Sequence, residues 1–314
     1  LVNSIQGSKD QDASADDAMC HRRGRASSDS DDDDDDLGPR ATPQSVRFSL
    51  ADVTGALMRT SPDEFAEVAL QPYMQFVQKL LEEGAPDGDR GLAFYMTEDA
   101  VDCLGPRSVP YWNGFMTKAL QGVTDKSAVV RQYASSTIGN AARHPIFAQM
   151  APAAASAIHR ILQKQGERHR RRKAVKADAK QAAFAVDAGI RALGEICEHH
   201  EATLGEHSST VWSMWLSNLP LKYDEEAGRK AHAQLLSLVS RGHPTLTSAQ
   251  NLSQVVTIFA EVYKTKFSNS SLDGDISAAM VSIGEAPLKQ VCSNIPEKLQ
   301  RKVEHILQGA KAGA

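Results

Sequence analysis

Several things are missing from this sequence, and each absence narrows the reading. No stretch approaches the roughly 20 consecutive apolar residues of a spanning helix, and Leu1-Val2-Asn3 begins neither a basic nor an apolar leader segment, so a membrane or secreted protein is not expected. Cysteine is scarce. The four cysteines, Cys20, Cys103, Cys197 and Cys292, lie far apart without a CxxC pair, which argues against a zinc ribbon or a disulfide framework and for a reducing, cytosolic or nuclear compartment. No HExxH, Gly-rich phosphate loop or GxSxG elbow occurs, so no enzymatic chemistry and no cofactor are expected. Cys197, His199, His200 and His207 invite a metal reading, but adjacent His199 and His200 point apart on a helix where ligands need i, i+4 spacing, and no metal site is expected. Alternating strands joined by hairpin turns are absent as well.

What is present is a chain of 314 residues with net charge -4, 24% charged and 41% hydrophobic. Single cores stop growing near 250–300 residues, so two domains or one elongated repeat body are the natural organisations. The start at Leu1, without Met and within a polar segment, suggests the C-terminal part of something longer. Residues 1–44 are nearly devoid of aliphatic and aromatic side chains and contain the unbroken run Asp31, Asp32, Asp33, Asp34, Asp35 and Asp36. Such a segment has too little apolar surface to offset its ordering entropy, and disorder is expected. It reads either as a solvated linker or as an acidic loop whose field competes for a basic ligand. His21, Arg22, Arg23 and Arg25 supply a small basic cluster nearby, and Ser27, Ser28 and Ser30 stand where an acidophilic kinase would add further charge.

From Ser45 onward the expectation is all-α. Ser61-Pro62-Asp63-Glu64 has the form of a capping box with Pro at N1, followed by Phe65, Val68, Ala69, Tyr73, Phe76, Val77 and Leu80 at helical spacing, with a kink expected at Pro72. Further stripes are Val130, Ala134, Ile138 and Ala141, then Val186, Ile190, Leu193 and Cys197, then Trp212, Trp215, Leu216 and Leu219, which read as packed interfaces. Breakers such as Gly105-Pro106, His144-Pro145, Leu219-Pro220 and His243-Pro244 divide the pattern. The resulting pairs are 62–83 with 87–104, 106–123 with 125–143, 145–165 with 176–200, 206–219 with 223–242, and 248–267 with 273–292, closed by a helix at 296–308.

Most pairs advance by about 40 residues, the period of a HEAT-repeat α-solenoid over 45–314. In Asp125-Lys-Ser-Ala-Val-Val130-Arg131, continuing to Ala134 and Ile138, the Asp caps a helix, Ala134 permits close approach, and Asp125 with Arg131 reads as a structural ladder between repeats.

Arg90-Gly-Leu-Ala-Phe94, Glu98-Asp-Ala-Val-Asp102-Cys103-Leu-Gly105-Pro106 and the helix from Asp125 to Gly139 resemble the C-terminal third of an importin-β superfamily karyopherin. Trp212-Ser-Met-Trp215, Asp224-Glu-Glu-Ala227 and Arg241-Gly-His-Pro244 are similar in order and spacing to the karyopherin beta-three branch, which is also acidic where Asp29 to Asp36 stand. The resemblance implies a nuclear transport receptor moving between cytoplasm and nucleus. In that family second helices line a concave surface that grips cargo with basic localisation segments, first helices accept Phe-Gly nucleoporins, and Ran-GTP releases cargo mainly through N-terminal repeats that this sequence does not contain.

Glu98, Asp99, Asp102, Glu195 and Glu198, on expected second helices, are the cargo-binding candidates, since acidic groups steer encounter with Lys- and Arg-rich segments. The other reading of each is an ordinary helix surface. The basic run Arg168, Arg170, Arg171, Arg172 and Lys173 and the alanine-rich stretch at Ala151 to Ala157 depart from the family pattern. The run reads as a solvated insertion, with non-specific nucleic-acid binding or a clasp onto the aspartates as alternatives. Nucleic acid is not an expected partner. A general HEAT scaffold of the phosphatase-regulatory type is the second functional class the fold allows.

Overall fold

A computed structural model describes residues 42–169 and 176–312. The expectations for the acidic run Asp31 to Asp36, and for Arg170, Arg171, Arg172 and Lys173, lie outside the described residues. Among those described there is no strand, and the fold is all-α. The chain divides into two compact units, one up to Gly189 and one from Ile190, with the division falling inside a single helix.

The first unit opens on α1 (Pro43–Thr60), which the breaker-based pairing left unassigned. Its start is well signalled: the Thr42 hydroxyl accepts the Ser45 N–H at 3.1 Å and Pro43 occupies the first helical position. Its buried face, however, is Arg47, Ala51, Thr54, Gly55 and Met58, in which only Met58 is large and apolar, so the aliphatic residues of the helix, Val46, Leu50, Val53 and Leu57, do not mark the face that packs. The expected helix 62–83 is two helices, α2 (Pro62–Val68) and α3 (Leu70–Leu80), separated at Ala69. Pro72 explains the break. It has no N–H for the Val68 carbonyl, and its ring crowds that carbonyl, so the chain parts at the turn before the proline. The expected capping box does not form, because the Ser61 side chain caps nothing.

Next come α4 (Asp87–Leu104), a 3₁₀ segment at Gly105–Gly114, α5 (Met116–Gly122) and α6 (Ala128–Ala141). The first half of the expected helix 106–123 is thus 3₁₀, with Pro106 and Pro110 removing the donors that an α-helix would use. A second 3₁₀ turn, Pro145–Gln149, precedes α7 (Ala151–His169), and α8 (Lys176–Leu204) then crosses into the second unit. The centre of the first unit is α4, which packs on α1, α3 and α6. Buried residues lie all around it, from Asp89 and Leu92 to Phe94, Met96 and Val101, the pattern of a helix with neighbours on every side.

In the second unit α8 bends at His200, and a 3₁₀ turn at Gly205–His207 leads to α9 (Ser208–Ser217) and α10 (Glu225–Ser240). These are followed by α11 (Ala249–Val262), α12 (Ser270–Ile283), α13 (Glu285–Cys292) and α14 (Glu297–Ala312). One helix was expected over 273–292. Gly284, at φ 88°, instead ends α12 and starts α13, a left-handed position that glycine takes without strain. α10 packs on α12 and α9 on α11, while α14 closes over α11 and α12 with Val303 and Ile306 buried. Trp212 and Trp215 are fully buried, meeting edge to face with centroids 5.5 Å apart, as expected of a packed interface.

At Gly122, α5 comes close to both α6 and α4. A Cβ added at Gly122 would lie 2.9 Å from both the Ala134 Cβ and the Phe94 ring, neither of which has room to retreat. Gly122→Ala is therefore expected to destabilise by about 1–3 kcal/mol through overpacking, read as a lower urea midpoint with an unchanged far-UV spectrum.

Candidate functional site

Along the helices at α1, α4 and α6, most polar side chains on the facing surfaces bond to a residue about forty positions away. Between α1 and α4, Gln44 Nε2 donates to the Gly88 carbonyl at 3.0 Å, Arg47 Nη1 to Asp89 Oδ1 at 2.5 Å, Tyr95 Oη to Asp52, and Arg59 Nη1 to Asp99 Oδ1 at 3.3 Å. Their separations are 44, 42, 43 and 40 residues. Between α4 and α6 the hydroxyls of Thr97 and Thr137 meet at 3.0 Å, Asn140 Nδ2 donates to the Glu98 carbonyl at 3.2 Å, and Arg143 just past α6 donates to Asp102 at 2.9 Å. These separations are 40, 42 and 41. Phe48, Tyr95 and Tyr133 form an aromatic strip along the same row, with centroids 4.9 Å apart at each step.

The second unit repeats the device. Arg241 Nη2 donates to Glu198 Oε1 at 2.5 Å, 43 residues away, His243 Nε2 faces Glu201 Oε2 at 3.4 Å, 42 away, and Lys302 Nζ donates to the Glu261 carbonyl, 41 away. Bonds at offsets of 40 to 44 residues thus tie α1 to α4 and α4 to α6, helices that pack side by side.

Of the expected cargo-binding acids, Asp99, Asp102 and Glu198 lie in these bonds through their carboxylates and Glu98 through its carbonyl, while Glu195 meets residues of its own helix. Asp99 is 5% exposed and receives Arg59; Glu195 is 9% exposed, with Arg191 at 3.9 Å and His199 at 3.5 Å. Glu98 is partly exposed, Asp102 is held by Arg143, and Glu198 accepts from both Gln234 Nε2 at 2.7 Å and Arg241. Glu98, Asp102 and Glu198 therefore keep some carboxylate surface toward solvent, whereas Asp99 and Glu195 are occupied in the interior.

Asp125 accepts from Arg90 on α4 and from the Ser127 N–H at 2.8 Å, while Arg131 Nη1 turns to the carbonyls of Asp125 and Lys126 at 2.8 and 2.9 Å. Burial alone would raise the Asp125 pKa, but the Arg90 guanidinium and the Ser127 amide outweigh it and hold the carboxyl below the ordinary range.

Two features carried no usable signal in the sequence. One is the Glu201 node, where Trp212 Nε1 donates at 3.0 Å, Ser208 Oγ at 3.2 Å, and His243 packs against the Trp212 ring at 4.6 Å. Its members come from three separate segments, so no local motif announces it. The other is a cleft of about 800 Å³ between α10 and α12, bordered by Ser237, Leu252, Asp275, Ala279 and Pro287. Burial pushes the Cys103, Cys197 and Cys292 thiols up, away from the thiolate form that nucleophilic chemistry requires. Among the described residues no group of three or more His, Cys, Asp or Glu is placed to hold a metal ion, and no helix is long and apolar enough to cross a membrane. No protein-family model matches the chain, and no curated protein matches it.

Buried polar groups in each unit make testable demands on stability. Arg47 and Asp89 are both about 5% exposed, so Arg47→Met, which strands the Asp89 charge away from its cation, is expected to cost about 3–5 kcal/mol, and Arg47→Met with Asp89→Leu to recover most of it. Chemical denaturation of the three proteins checks this. His232 is buried, accepts the Leu221 N–H at Nε2 (3.1 Å) and holds its Nδ1 proton toward the Phe267 carbonyl (3.2 Å), so burial lowers its pKa from 6.5 to about 4. The unfolded chain takes up this proton near pH 6.5 and the folded chain only near pH 4, so stability is full above pH 6.5 and drains as the pH falls between them. Denaturation at pH 7 and pH 5 is expected to differ by roughly 2 kcal/mol from this group alone, a difference that His232→Gln should remove.

Proposed function

We propose that this chain is a HEAT-repeat segment of an importin-β-type nuclear transport receptor, which binds protein cargo along its row of second helices. The observation that carries the proposal is the constant offset of 40 to 44 residues in the bonds linking α1 to α4 and α4 to α6, the spacing of a helical repeat whose neighbours stack in register. The resemblance of the segments around Arg90, Asp125 and Trp212 to that superfamily supplies the functional class. Its cargo would be proteins with basic localisation segments, Phe-Gly nucleoporins would carry it through the pore between cytoplasm and nucleus, and Ran-GTP would act mainly through preceding repeats.

Glu98, Asp102 and Glu198 are the acids of the row with surface to offer. Asp102 and Glu198 already hold arginines, and a Lys- or Arg-rich cargo segment would exchange with Arg143 and Arg241 on those carboxylates. Such exchange is feasible at solvent-exposed pairs because each is worth only about 1 kcal/mol or less.

A pull-down on immobilised Phe-Gly repeats and on a basic localisation peptide, at physiological salt with and without Ran-GTP, tests the reading. Retention on both baits is expected. Asp102→Asn should weaken peptide retention, while Arg143→Ala, which breaks the same bond but frees the carboxylate, should leave it unchanged or stronger. Equal loss in both variants would assign the pair to folding alone, and binding to neither bait would favour a HEAT scaffold of the phosphatase-regulatory type.

A further inference from the structure

Between α10 and α12 polar bonds tie only one end. Arg229 Nη1 donates to the Lys266 carbonyl at 2.9 Å and His232 faces the Phe267 carbonyl, so the first half of α10 is held to the segment leading into α12. Among the described residues no hydrogen bond joins the two helices beyond that point, and there the cleft of about 800 Å³ opens. Clefts that take ligands span roughly 300–1,000 Å³. The floor of this one is Leu236, Val239, Leu272 and Ala279, all buried.

The walls carry the polar groups. Ser237 and Ser240 on α10 and Ser271, Asp275 and Ser282 on α12 are exposed, and among the described residues neither their hydroxyls nor the Asp275 carboxylate has a hydrogen bond or ion pair. No Lys, Arg or His lines the cleft, so Asp275 is its one charge and has no cation beside it there.

The spacing of the wall residues sets the shape. Ala233, Ser237 and Ser240 stand four and three residues apart, and Ser271, Asp275, Ala278 and Ser282 four, three and four, so each wall is a helical seam of small side chains. Two such seams leave room for a third helix to come close and reach the apolar floor. Both walls have their own neighbours in place: Gln234 and Arg241 tie α10 to Glu198 of α8, and α14 packs on α12. The cleft is therefore an opening within a packed set of helices, not a face left bare at one end of it.

We propose that the cleft between α10 and α12 docks one amphipathic α-helix of a partner polypeptide that carries a single Lys or Arg on its apolar face. Aliphatic side chains at i, i+3 or i+4 and i+7 of that helix cover Leu236, Val239 and Leu272, and its cation meets the Asp275 carboxylate. A carboxylate on that face would meet Asp275, and a second cation would be desolvated without a counterion. The wall serines turn back onto carbonyls of their own helices once covered, so docking strands no hydroxyl. The inference stands apart from the transport reading, since it uses only the cleft and its lining.

The test uses the full chain and, as probe, a fluorescein-labelled, hydrocarbon-stapled helical peptide of leucine and alanine in heptad order with one central lysine. Fluorescence anisotropy should show saturable binding, weakened at least about tenfold by Asp275→Lys. The same peptide with glutamate in place of lysine should bind the Asp275→Lys protein and not the unaltered one, a reversal that a merely structural role for Asp275 would not produce. Ala278→Trp, at an exposed position of the wall, should abolish binding of the lysine peptide, while Ile146→Asp, on an exposed side chain of the first unit, should leave it as it is. All three positions are exposed, so far-UV circular dichroism should stay unchanged. Absence of saturable binding overturns the proposal, as does binding that Asp275→Lys leaves intact or that the glutamate peptide fails to restore. Light scattering that finds a dimer dissolved by Ala278→Trp would make the occupant a second copy of this chain, and would overturn it too.

Discussion

The structure depends on one constraint: a helix with buried polar groups needs a neighbour at a fixed register to satisfy them. α4 cannot exist in its observed form alone. Asp89 needs Arg47, Asp99 receives Arg59, and the carbonyls of Phe94 and Glu98 accept from Thr137 and Asn140. A buried acceptor left unmade costs about 1–3 kcal/mol, and a stranded charge more, so a one-turn slip between α1 and α4 would break several bonds together. The apolar contacts supply most of the stabilisation, but they tolerate sliding. The polar row does not, and it is what fixes α4 against α1 and α6.

This explains why acidity on these helices is a poor guide to function by itself. Asp99, Asp102, Glu195 and Glu198 look alike in the sequence, each an acid within a helix. The fold separates them: two are enclosed by neighbours, and two hold arginines at the surface. Three of them take a cation some forty positions away, Arg59, Arg143 or Arg241, which no local window includes, while Glu195 meets Arg191 and His199 of its own helix. The same distance hides the Glu201 node and the bond from His232 to Phe267.

Legibility followed the physics of each signal. Helices with large aliphatic stripes, such as α6, α10 and α11, were readable because packing periodicity and helix geometry coincide. α1 was not, because Ala51, Thr54 and Gly55 serve close approach and hydrogen bonding where a stripe was sought. Prolines were read as kinks or starts, yet Pro72 splits a helix before its own position, and Pro106 and Pro110 convert a whole segment to 3₁₀ geometry. Asp125 takes Arg90 of α4 as its cation, while Arg131 closes its own helix start, two partners that the local sequence does not announce. Gly284 carried its message openly and was passed over because the apolar pattern continued beyond it.

The most direct test of this account is native-state hydrogen exchange on the chain lacking residues 1–60. Neighbour-limited repeats predict that amides of α4, which lose Arg47 and Arg59, exchange much faster, while those of α9 to α14 keep their protection. Uniform loss of protection through the whole chain, or none in α4, would contradict the claim that each repeat is held by the polar row of the one beside it.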